Sequence, residues 1–136
     1  QSSQPHAYVL FDELFEHRDV FEKMLEQGRT TPVRLMGRLS AFEPNNNLVE
    51  IISPTKADEF PCVLVDVHLL PDRDKQTFST ASDRLVQFIG DLSLVSDRKR
   101  YKIIAFSMSF MDGVSMDLYH ATVRITRPFI KYLPAM

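Results

Sequence analysis

Six basic residues and one phenylalanine carry the most specific chemistry in the chain. Arg34 and Arg38 fall on one side of an alternating segment with Phe42 close behind, and Arg98, Lys99, Arg100 and Lys102 crowd into one short stretch. Cationic side chains neutralise phosphates, and a flat ring gives an unpaired base a surface to stack on. Together they are what a single-stranded nucleic acid requires of a protein. Carboxylates interrupt the set, with Glu43, Glu50, Asp58 and Glu59 nearby in sequence. Any affinity of the isolated chain for such a strand is therefore expected to be weak and strongly salt-dependent.

Enzymatic chemistry finds less support. His6, His17, His68 and His120 are scattered, with no thiol or carboxylate at metal-ligand spacing. There is no glycine-rich phosphate loop and no Gly-x-Ser-x-Gly elbow. The single Cys62 cannot form an internal disulfide, and its apolar, strand-like surroundings suit an inert thiol. His68 alternates onto the same side as Asp66, Leu64 and Cys62, where a hydrogen-bonded polar edge is expected. No catalysis, metal or cofactor is expected.

The 136 residues fit one domain, and 16 basic against 18 acidic residues with 44% hydrophobic content describe a globular protein. A chain gripping a polyanion alone by charge would be more basic, so such contact should be local or shared with partners. The lone cysteine fits a reducing compartment, nuclear or cytosolic. No run approaches the roughly 20 apolar residues of a membrane span, and Gln1-Ser2-Ser3-Gln4 opens no secretory segment. The expectation is a soluble intracellular domain over residues 8–136, behind a loose leader at 1–7.

The elements that must position these residues follow from periodicity. Phe11, Leu14, Phe15, Phe21, Met24 and Leu25 recur at helical intervals up to Gly28, with a break expected near Arg18-Asp19. The period then becomes two. Val33, Leu35, Gly37, Leu39 and Ala41 face one way, and Arg34, Met36, Arg38, Ser40 and Phe42 the other, which predicts a strand with one buried face. Glu43–Asn47 is a turn, Leu48–Ile52 the return strand, and Cys62–Leu69 a third strand. Polar residues from Pro71 to Asp83 predict a loop holding a short helix. Leu85–Leu92 and Ile103–Phe110 complete five strands, with Gly90 and Gly37 expected to mark a bulge or tight bend.

Five short strands, a helix between the third and fourth, and terminal helices predict a mainly β fold: an OB-fold Greek-key barrel with an N-terminal helix and a C-terminal amphipathic helix. An SH3-like barrel or an open α+β sheet would use the same strand count. The final helix opens at Ser115 and is expected to end at Pro128. It carries two apolar stripes: Leu118, Ala121, Ile125 and Phe129, and beside it Tyr119, Val123, Thr126 and Ile130. One stripe suffices to seat it on its own barrel. Periodicity leaves open which one faces outward, and a partner subunit is expected to contact Leu118, Tyr119, Thr122, Val123, Thr126 and Ile130.

Four fragments carry a resemblance. Val33–Leu39, Val63–Asp66, Leu85–Leu92 and above all Met111-Asp112-Gly113-Val114-Ser115-Met116-Asp117-Leu118-Tyr119 resemble, in order, the smallest subunit of the CST telomere-capping complex, from about Tyr8 to Phe129. The small subunit of replication protein A is similar in the same places, including an aromatic and proline-containing tail comparable to Pro128–Pro134. The leader and the Pro71–Asp83 insertion tilt the likeness toward the telomeric family. The resemblance implies a non-enzymatic subunit in the nucleus, at telomeric chromosome ends. It would dock the middle OB-fold subunit through its C-terminal helix, within a trimer that also holds a large subunit and single-stranded telomeric DNA. Support of fill-in by DNA polymerase alpha-primase is implied in the same way. An independent nucleic-acid binder, or a small enzyme, are the readings to which it stands opposed.

Overall fold

The computed structural model describes residues 7–26, 30–95 and 100–126. Six strands form, β1 (Ala7–Val9), β2 (Thr31–Glu43), β3 (Leu48–Ile52), β4 (Val63–Asp66), β5 (Leu85–Val95) and β6 (Arg100–Phe110). Four helices accompany them: α1 (Glu13–Glu16), α2 (Arg18–Leu25), α3 (Asp72–Thr77) and α4 (Met116–Thr126). The helix break expected near Arg18 falls at His17, and the short helix expected between Pro71 and Asp83 is α3.

The barrel closes because β2 serves two partners in succession. Its residues Thr31–Arg38 pair antiparallel with β5, and Arg38–Glu43 pair antiparallel with β3. β4 joins β3 antiparallel and β6 parallel, so the order β2-β3-β4-β6-β5 returns to β2. This is the five-stranded Greek-key closure expected of an OB-fold. β1 was not anticipated. It lies parallel on Val33–Leu35 and buries Ala7 and Val9, so residue 7 belongs to the sheet rather than to a leader.

Two bulges shape the barrel. In β2 the register slips between Leu39 and Ala41, leaving Ser40 unpaired. Parity reverses beyond it, so Phe42 packs with the core against Phe78 (5.5 Å between centroids) instead of standing beside Arg34 and Arg38. The second slip lies opposite Gly90, as its glycine suggested, and makes Phe106 the extra residue of β6. A Cβ on Gly90 would sit 2.1 Å from the Ile104 carbonyl oxygen, so the two backbones approach as only glycine allows. The third strand is shorter than expected, running from Val63 to Asp66, although the Val67 N–H still donates to the Asn47 carbonyl (2.8 Å) in the β3–β4 register.

Phe11, Leu14, Phe21 and Leu25 of the N-terminal segment close one end of the core. The Tyr101 hydroxyl donates to the Leu14 carbonyl at 2.6 Å, tying α1 to β6. Burial pushes this phenol up to about 12, against the pull of Arg18. The folded state therefore holds Tyr101 neutral. Its contribution is complete below the unfolded value of 10.0 and is lost as pH rises through about 12. Tyr101→Phe should flatten stability over that alkaline window and cost about 1 kcal/mol at neutral pH for the lost hydrogen bond. Denaturant titrations at several pH values measure both effects.

Candidate docking helix and nucleic-acid face

The approach to α4 is held by one ion pair. Arg84 donates to Asp112 Oδ2 from Nε (3.0 Å) and Nη2 (2.5 Å), with its guanidinium 3.8 Å above the Phe110 ring. That contact holds the Asp112 carboxyl below its ordinary range. Gly113 follows at φ +81°, a conformation that favours glycine. Ser115 then caps the helix, its Oγ accepting from the Leu118 N–H at 3.3 Å. The Asp112-Gly113 pair is thus the turn that aims α4.

The helix lies outside the barrel, across β1 and β2. Tyr119 and Val123 bury against Met36 and Leu85, with Tyr8, Leu10, Met111, Val114 and Met116 packed around them. Met36 is buried although it faces away from the barrel interior, so at this point β2 is covered on both faces. The Tyr119 ring meets Tyr8 edge-on at 6.3 Å. Tyr119 and Val123 are 7% and 1% exposed, whereas Leu118 and Ile125 are 69% and 71% exposed. Two residues expected to face a partner, Tyr119 and Val123, therefore face their own barrel. The reason is spacing: Met116, Tyr119 and Val123 recur at helical intervals on the side turned to Met36. Thr122 is exposed between Leu118 and Ile125, its hydroxyl donating to the Leu118 carbonyl at 2.9 Å. Ile130 and the side chain of Thr126 lie outside the described residues.

In OB-folds the ligand crosses the second and third barrel strands between two flanking loops. Here those strands are β3 and β4, the first loop is Pro44–Asn47, and the second position corresponds to the connection from β5 to β6. Arg98 and Lys99, between β5 and β6 in sequence, lie outside the described residues. Arg100 and Lys102 stand on β6 beside β4, Lys102 in register with Leu64. Neither is isolated. Arg100 Nη2 lies 2.8 Å from the Cys62 sulfur, and Lys102 Nζ lies 3.9 Å from Asp66. Asp66 also meets the His68 ring at 2.5 Å, the polar edge expected there. Burial raises the Asp66 carboxyl, but His68 and Lys102 outweigh it and hold the group below its ordinary value. Burial, and then Glu50, push the Cys62 thiol up, away from thiolate chemistry.

The other expected nucleic-acid residues are elsewhere. Arg34 lies over the Tyr8 ring (5.4 Å), near α4. Arg38 donates to the carbonyls of Asp83 (2.8 Å) and Pro54 (3.3 Å), bridging two loops. Phe42 edges a cleft of ≈ 280 Å³ with Pro44, Phe78, Ser79 and Ser82. The five described residues of the set thus do not form one patch, and Glu50 and Asp66 place acids beside Arg100 and Lys102. Alternation along the third strand held the signal for Asp66. The bulge that displaced Phe42 left none. Among the described residues no group of three or more His, Cys, Asp or Glu could hold a metal ion, and no helix is long and apolar enough to cross a membrane.

Comparison with known proteins agrees with this geometry. The chain is similar to a chain of the S. pombe Stn1–Ten1 complex, with 12% identity, a TM-score of 0.59, and 93% of this chain and 96% of that one covered. It is also similar to U. maydis replication protein A, solved bound to single-stranded DNA, with 15% identity, a TM-score of 0.55, and 94% of each chain covered. At such identities the likeness establishes the OB-fold. No curated protein matches at a significant level. Residues 3–133 match the family described as the telomere-capping CST complex subunit, nearly the whole chain. The chain belongs to that family of telomere-capping subunits.

Proposed function

We propose that this telomere-capping OB-fold subunit works without catalysis, as the docking member of a CST-like trimer. It seats the middle OB-fold subunit on the outer stripe of α4, and with the large subunit the assembly holds single-stranded telomeric DNA at chromosome ends in the nucleus. Support of fill-in by DNA polymerase alpha-primase belongs to the whole assembly. The observation that carries this reading is that α4 already satisfies its barrel with Tyr119 and Val123 while Leu118 and Ile125 stand in water. Thr122 lies between them. Two bulky residues flanking a smaller one suit the close approach of a second helix.

The DNA contribution of this chain is secondary. Arg100 and Lys102 border the ligand face, but Asp66 and Glu50 accompany them. Binding should therefore belong to the complex more than to the isolated chain.

Proteins recovered with the tagged chain from nuclear extract test the assignment. The middle OB-fold subunit of CST is the expected partner, at equal stoichiometry. Recovery of the large and middle subunits of replication protein A instead would transfer the chain to the alternative, a replication and repair complex of similar fold.

A further inference from the structure

β6 has a second edge that the described chain leaves open. Its parallel pairing with β4 stops at Asp66 and Ile104, yet the strand continues to Phe110. From Ser107 onward it pairs only with β5. The Met111 N–H donates to the Leu85 carbonyl at 2.9 Å, so Leu85 and Met111 form a hydrogen-bonded pair of the antiparallel ladder. Such pairs alternate along a ladder. Gln87 with Ser109 and Ile89 with Ser107 are then also bonded pairs, and Met108 and Phe110 are not. The N–H and C=O groups of Met108 and Phe110 consequently point away from β5. Among the described residues no hydrogen bond reaches them.

Native edges of this kind are blunted by charge, proline or cover. Ser107–Phe110 carries no charge and no proline, and the bulge at Phe106 lies before it. Met108 and Phe110 are half-buried, with side chains packed on the barrel core, while Ser107 and Ser109 are exposed. Backbone groups in that setting call for partners. β6 runs through the Met111–Ser115 turn directly into α4, so the open edge and the exposed Leu118 lie within about ten residues of one another in the chain.

We infer that an extended segment of the docked partner subunit adds to β6 as a further strand, hydrogen-bonding Met108 and Phe110. The segment alternates. Apolar residues lie on the side of Met108 and Phe110, and polar ones beside Ser107 and Ser109. This inference rests on the docking reading but has its own readout.

Amide exchange of the isotope-labelled chain, alone and with the purified middle OB-fold subunit, tests it. The Met108 and Phe110 amides should exchange rapidly in the dilute free chain and at least tenfold more slowly in the complex. Met108→Pro removes only an N–H directed off β5, which an edge tolerates. It should weaken the complex about fivefold to tenfold, the equivalent of one or two hydrogen bonds. If both amides stay fast in a complex whose α4 amides are protected, the added strand is wrong and docking on α4 stands. Failure to form any complex removes both readings. Slow exchange in the dilute free chain, or protection that grows with its concentration, would show the edge covered by the chain itself or by a second copy, and overturns the inference.

Discussion

Leu118→Glu and Ile125→Glu should each break the proposed complex with the middle OB-fold subunit and leave the melting temperature of the free chain unchanged. Both side chains are exposed in the isolated chain, so a carboxylate there costs the fold nothing. In the complex the same carboxylate would be desolvated against apolar surface with no partner. Loss of a central interface anchor costs about 2–4 kcal/mol, or roughly 30-fold to 1000-fold in affinity. Val123→Asp provides the contrast: it should detach α4 from Met36 and Leu85 and lower the melting temperature as well. Calorimetry of binding and thermal melts of the three variants separate surface from packing. A double Leu118→Glu, Ile125→Glu variant that elutes with its partner as one species would end the docking model.

Gly90→Ala should destabilise the barrel more than Gly37→Ala, whose added methyl meets its nearest atom at 2.9 Å. At Gly90 the methyl would lie 2.1 Å from the Ile104 carbonyl oxygen and 2.8 Å from the Ala105 Cα. These are backbone atoms, which cannot rotate aside as a side chain would. β5 and β6 must separate at the bulge, and β6 is also the strand that closes the barrel onto β4. The expected cost is about 3 kcal/mol or more, beyond the usual range of overpacking. It should appear as a lowered urea midpoint at unchanged slope. A midpoint equal to that of the unsubstituted chain would mean that the strands do not cross as closely as described.

Most of the fold was legible because the strands are amphipathic and punctuated. Val33–Leu39, Leu48–Ile52 and Leu85–Leu92 alternate or run apolar between turn residues, and glycine announced the bulge at Gly90. Where sequence reasoning missed, a nonlocal cause decided. β1 has three residues, too few for periodicity, and exists because β2 offers it an edge at Val33–Leu35. Ser40 gives no local sign of the slip that turned Phe42 inward. Alternation put Arg34 and Arg38 on one strand face as candidate nucleic-acid contacts, but Arg38 is engaged by two loop carbonyls and Arg34 by the Tyr8 ring. The two stripes of α4 were visible as stripes. Only Met36, an apolar residue on the outer face of β2, could say which of them turns inward, and its meaning depends on where the helix lands.

The seat of α4 is built partly from Tyr8 and Leu10, more than a hundred positions earlier in the chain. Substitutions at the two ends should accordingly be accepted in matched pairs over evolutionary time, a larger ring at one compensated by a smaller one at the other. A bulky group attached at Tyr8 would be felt first at α4.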